Sequence, residues 1–159
     1  GFRNDLNIKS FKFPEPILET RTVRDILEKD PPKNTFIDRD DIVINNQNKK
    51  INDVRKPHRV GTISKGGQGE RIYSTDASGI TLSAFGGGPG AKTGAYLVNG
   101  RVRKLTPREA ARMQGFPETF ILDEKTHKAL KQFGDSVSVP VIKKIYESIL
   151  LSINSKYAS

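Results

Sequence analysis

Lys65-Gly66-Gly67-Gln68-Gly69-Glu70-Arg71 puts four polar side chains on a short stretch of glycine-rich backbone. Glycine lets main chain approach a phosphate or a base that a Cβ would hold off. Gln68, Glu70 and Arg71 then supply donors and acceptors for base edges. Arginine matches the O6/N7 pair of guanine, and a glutamate accepts from cytosine N4. A hairpin tip with ordinary solvated charges fits the same residues, so this loop alone does not decide between the two.

Two other motif readings fail on context. Residues 66–69 satisfy the GXXG pattern of KH RNA-binding loops, but that loop joins two helices and the flanks here are β-rich. Gly86-Gly87-Gly88-Pro89-Gly90-Ala91-Lys92-Thr93-Gly94 suggests a P-loop, yet Ala91 stands where the glycine before the lysine is required. No strand-to-helix context follows it, so nucleotide hydrolysis is rejected. A second backbone-approach surface for DNA, beside the first, is the better reading. The chain has no cysteine, which excludes a thiolate nucleophile, disulfides and thiolate metal sites. His58 and His127 lack ligand-like spacing, so no metal is expected.

The 159 residues suffice for one domain with a modest core, but only 35% are hydrophobic, which leaves apolar surface for a partner. A net charge of +9 and a pI near 9.8 favour a polyanionic partner, nucleic acid ahead of an acidic membrane. No apolar run approaches the ~20 residues of a membrane span, and no signal-peptide pattern is present. A cytoplasmic location is the default. The start at Gly1, without an initiator methionine, fits an excised or processed segment.

These loops need elements to hold them. Residues 1–13 read as a short strand and a turn without a neighbouring partner. Thr20 is a candidate N-cap for a helix over residues 21–29, stopped by Pro31-Pro32. Ile42-Val43-Ile44 reads as an edge strand. Short β runs follow at residues 59–64, 71–74, 80–85 and 96–98. Asn99-Gly100 closes a hairpin with residues 101–103, because a type I′ turn needs positive φ at both positions. Thr106-Pro107-Arg108-Glu109 is a capping box with proline at the first helical position, and the helix stops near Gly115. Pro140 opens a last helix with Val141, Ile145 and Ile149 on one stripe.

Arg103-Lys104-Leu105-Thr106-Pro107-Arg108-Glu109-Ala110-Ala111-Arg112-Met113-Gln114-Gly115-Phe116-Pro117, followed by Phe133-Gly134-Asp135-Ser136-Val137-Ser138-Val139-Pro140-Val141, adds a second kind of signal. In this order and spacing the two segments resemble the last two conserved blocks of the DNA cytosine-5 methyltransferases. The likeness covers nearly the whole chain. It implies an α+β protein with a small twisted β-rich recognition domain, flanking helices, and a C-terminal helix that docks on a missing α/β catalytic domain. Residues 1–12 would be a remnant of that catalytic domain, residues 13–105 the target-recognition domain, and residues 106–159 a helical segment carrying the two blocks. Lys65 to Thr75, residues 80–84, 86–88 and 91–94 resemble the two recognition loops of such enzymes.

What the resemblance implies for the site is specific. Gln68 would enter the duplex and fill the space left by a flipped cytosine. Glu70 and Arg71 would read a C·G pair, Thr81 a phosphate, and Gly86, Gly87 and Gly88 would bring backbone to base edges, with Lys65 and Phe85 beside them. Arg103, Arg108 and Arg112 would be structural. Asp135 and Ser136 would border the S-adenosylmethionine site, most of which belongs to the missing half. Asp135 stands where the family has asparagine, Phe85 where a tyrosine is usual, and Pro89-Gly90 also departs. The family's cysteine adds to C6 of the base and so activates C5; neither that nucleophile block nor the glycine-rich cofactor loop is in this chain. The expected partners are double-stranded DNA, with GCGC as the implied target, and an N-terminal catalytic half on the same chain or a separate subunit. An autonomous DNA-binding module without enzymatic link is the rival; its elements would bury their own apolar surfaces.

Overall fold

The computed structural model describes residues 2–6, 8, 10–46 and 48–157. Its centre is one five-stranded sheet in sequential order: β1 (Ile42–Ile44), β2 (Arg59–Ile63), β3 (Arg71–Ser74), β4 (Ala95–Val98) and β5 (Arg101–Arg103). All neighbours are antiparallel except β3 and β4, which run parallel. A tight turn cannot join parallel strands, so the chain must cross over between them. Residues 75–94 make that crossing as irregular chain, and the second glycine-rich loop lies within it. The β4–β5 hairpin closes at Asn99 and Gly100, with φ of 49° and 79° as a type I′ turn needs.

Strand alternation sends side chains to both faces of the sheet. Ile72, Ala95 and Val102 join Ile37, Val60 and Ile63 in a cluster on one face. Tyr73 and Tyr96 point the other way, toward Leu105 and three helices' worth of apolar residues, among them Ala110, Ala111, Leu130 and Phe133. Those come from α1 (Pro107–Gln114) and α2 (Thr126–Asp135), with Val23 and Ile26 from a 3-10 turn. α1 begins as its sequence dictates: the Glu109 amide donates to Thr106 Oγ1 at 3.1 Å and the Thr106 amide to Glu109 Oε2 at 2.8 Å. A long α3 (Val139–Tyr157) closes the chain.

Three expected elements are absent or shortened, one for want of a ladder to join and two where backbone amides bond outside the expected element. The strand over residues 1–13 does not form among the described residues (Gly1, Asn7 and Lys9 lie outside them). Asn4–Leu6 is a 3-10 turn, and Phe2, Phe11 and Phe13 gather their rings instead. With no neighbouring ladder, an extended segment there has nothing to pair with. The helix over residues 21–29 contracts to the 3-10 turn Val23–Ile26 with Thr22, not Thr20, as its cap. The amides of Val23 and Arg24 are taken by the carbonyls of Ala77 and Thr75, and Leu27 is already extended. Residues 80–85 form no strand: the Ile80 amide donates to Tyr96 Oη and the Ser83 amide to the Lys92 carbonyl. The alternation is nonetheless real, since Leu82 and Ala84 are buried while Thr81, Ser83 and Phe85 are exposed. Helix α2 was not anticipated at all.

Candidate nucleic-acid interface

The first glycine-rich loop joins β2 to β3, and Gln68–Glu70 make a single 3-10 turn at its tip. The Gly67 amide donates to Glu70 Oε2 at 2.9 Å, so the carboxylate braces its own loop. Lys65, Gln68 and Arg71 are exposed, and Glu70 is half-buried. Arg71 opens β3 opposite Thr62, which ties its backbone to the sheet while the guanidinium faces solvent.

The second loop is stitched to the first through Gly69. Its carbonyl accepts the Gly90 amide at 2.8 Å. A Cβ on Gly69 would collide with the Gly87 carbonyl, so only glycine permits this approach. The Gly94 amide returns to the Gly90 carbonyl at 2.9 Å and the Ala91 amide to that of Gly88 at 3.1 Å. Gln68, Thr81, Phe85, Gly86 and Gly87 consequently line one cleft. Two loops separate in sequence thus form a single exposed surface that mixes polar side chains with bare backbone.

Tyr96 anchors this surface from below. It is fully buried on β4, and its hydroxyl accepts the Ile80 amide at 3.1 Å. Burial pushes its phenol well above the ordinary value, which keeps the hydroxyl neutral. The arginines of the longer block have structural partners. Arg103 is buried against Glu109 in a two-pronged pair at 2.7 and 2.8 Å. Arg112 grips Glu118 and the Ile26 carbonyl, and Arg108 reaches the Phe120 carbonyl at 3.0 Å. The guanidinium of Arg112 holds the Glu118 carboxyl below the usual range.

Asp135 and Ser136 sit at the end of α2. Asp135 is exposed and paired with Lys131 at 2.6 Å, and Ser136 Oγ donates to the Phe133 carbonyl at 2.9 Å. The ion pair partly offsets the aspartate charge at this corner. The corner forms an edge, not an enclosing pocket. Among the described residues no cluster of histidines, cysteines or carboxylates is arranged to hold a metal, and no helix is long and apolar enough to cross a membrane. Sequence reasoning missed Tyr96, Lys92 and Lys131. Only the spacing of Lys131 and Asp135, four apart as in a helical ion pair, gave a usable signal.

The model of the family described as C-5 cytosine-specific DNA methylase matches residues 1–151. The type II methyltransferase M.HhaI of Haemophilus parahaemolyticus is 49% identical over 156 residues, covering 98% of this chain and 47% of that protein. The type II methyltransferase M.HpaII of Haemophilus parainfluenzae is 32% identical over 176 residues, 99% of this chain and 46% of that protein. The chain spans less than half the length of these relatives. The crystal structure of the S. pombe Dnmt2 methyltransferase superposes with a TM-score of 0.58 at 20% identity, over 86% of this chain and 44% of that one, a likeness of fold.

Proposed function

The chain belongs to the C-5 cytosine-specific DNA methylase family, and on that premise we propose that it is the target-recognition and C-terminal segment of a DNA cytosine-5 methyltransferase. The observation that carries this reading is the single exposed surface made by two glycine-rich loops, in a chain without cysteine. Such a surface suits duplex DNA: backbone close to phosphates and base edges, with glutamine, glutamate and arginine for readout. The nucleophile then comes from a catalytic half that this chain lacks.

In this reading Gln68, exposed at the tip of its turn, enters the space vacated by the flipped cytosine. Arg71 and Glu70 read a C·G pair, Lys65 and Thr81 contact phosphate, and Phe85 with Gly86, Gly87 and Gly88 meets the base edges. The target is GCGC, modified at the inner cytosine. When bound, S-adenosylmethionine supplies the methyl group, and Asp135 and Ser136 border its site. Helix α3 docks on the catalytic half: Val141, Ile142, Tyr146 and Leu151, spread around more than half of the helix, are exposed here, whereas a self-sufficient module would cover them.

Reconstitution tests this. Mixed with the catalytic half of a family member, the chain is expected to direct tritium transfer from labelled cofactor into duplex DNA, and alone to transfer none. Bisulfite sequencing should place the modified cytosines in GCGC. Transfer by the isolated chain, or duplex binding with no response to any catalytic half, would support the autonomous alternative or another chemistry.

A further inference from the structure

Helix α2 touches the second recognition loop at three levels. Near its start the His127 carbonyl accepts from Lys92 Nζ at 3.4 Å. In its middle Lys131 Nζ lies 4.9 Å from the centre of the Phe85 ring. At its end the backbone of Gly134 presses on Ser83 and Ala84 so closely that a Cβ would collide with both. Between these points Leu82 and Ala84 are buried, Leu82 in the same cluster as Leu130 and Phe133. Phe85 itself is 74% exposed, yet it sits at the mouth of the cleft where its ring position matters.

From this arrangement we infer that Lys131 is a positioning residue for Phe85, and that Asp135 acts through Lys131. An exposed aromatic ring on a glycine-rich loop has several rotamers open to it. An ammonium held over its face favours one, and more so when the ammonium is itself held. Asp135 supplies that second hold at 2.6 Å, four residues along the same helix. The ring is thereby presented to the duplex in one orientation, set by a helix outside both recognition loops. The proposal rests on the DNA reading for its consequence but not for the contact itself.

Two measurements separate these. In the free protein, proton resonances of the Lys131 ε-methylene should lie upfield from ring currents and return to ordinary positions in Phe85→Leu. Lys131 resonances indifferent to Phe85→Leu would overturn the proposal. In the protein assembled with a catalytic half, the binding ratio between the preferred duplex and one with a single base pair changed should fall roughly twofold to fivefold in Lys131→Met. Asp135→Asn should lower it less, and the double variant should match Lys131→Met. Additive losses, or an unchanged ratio in Lys131→Met while Phe85→Leu lowers it, would also refute the positioning role. A wild-type protein with no duplex preference defeats the DNA reading instead, and the resonance shifts then decide the contact by themselves.

Discussion

At the scale of single residues, Gly69 and Tyr96 set the interface without presenting any chemistry to it. A methyl group on Gly69 has no space beside the Gly87 carbonyl, so Gly69→Ala must push the two loops apart. The sheet below is not involved. Gly69→Ala should therefore leave the thermal midpoint within a few degrees of wild type while weakening specific duplex binding at least tenfold, measured by anisotropy at two salt concentrations. Tyr96→Phe acts differently. It keeps the ring but removes the partner of the part-buried Ile80 amide, which should cost about 0.5–1.5 kcal/mol in denaturant unfolding. If Arg71 reads a guanine, Arg71→Ala should cost roughly 1–3 kcal/mol against the duplex carrying that guanine and little against a duplex changed there, because a base-edge contact carries sequence information. Thr81→Val, by contrast, should weaken binding evenly across sequences if its partner is a phosphate.

Elements are joined by one buried charge network. Glu109, on the first turn of α1, accepts from both terminal guanidinium nitrogens of Arg103 on β5, from the Thr106 amide and from the Glu28 amide. Thr106 Oγ1 in turn donates to Glu28 Oε2 at 2.6 Å. One carboxylate thus fastens a strand, a helix N-terminus and the segment after the 3-10 turn. Removing it leaves a buried guanidinium with only the Lys104 carbonyl, and strands the buried Thr106 amide and the part-buried Glu28 amide. Glu109→Ala is expected to destabilise by about 3–5 kcal/mol in urea unfolding. Replacing Arg103 and Glu109 together by methionine and leucine should recover only part of that, because the amides of Glu28 and Thr106 stay unpaired. Full recovery would show that the amides contribute little.

For the molecule as a whole, charge and apolar surface point outward together. Asp25, Asp41, Asp53, Glu118 and Asp123 all have lowered carboxyl values, held chiefly by hydrogen bonds from Thr22, Arg39, Arg55, Arg112 and Lys128 respectively. A carboxylate whose folded value is depressed stabilises the fold above its unfolded value and loses that contribution as pH falls through the folded one. Stability should thus be flat near neutrality and decline as the pH drops below the ordinary values of 4.5 and 3.8, which a melting series across that range would check. All five lie at the surface, so added salt should blunt the decline. On the other side, α3 leaves Leu151 70% exposed, and Phe2, Phe11 and Phe13 share a hollow with Ile145 and Ile149. Hydrogen exchange along α3 should slow when a catalytic half is added, and unchanged exchange would argue against docking through that helix.

Much of this was legible along the chain because it is local. The Asn99-Gly100 turn, the capping box at Thr106 and Glu109, the stop at Gly115 and the short strands follow from backbone preferences and from hydrogen bonds only a few residues apart. The two glycine-rich loops were visible as residue types, and their candidate contacts by resemblance. Partnership across long separations was not legible. Residues 80–85 carry a true strand alternation but have no ladder to join, because the crossover to the parallel strand β4 takes their amides elsewhere. Residues 21–29 carry a helical pattern, but Leu27 turns extended and the Glu28 amide goes to Glu109 Oε1 instead of back along the helix. Only the folded chain brings the Gly69 carbonyl to the Gly90 amide and Lys131 to Phe85. Those contacts depend on how β3, β4 and α2 pack around a shared core, which no periodicity in the sequence encodes.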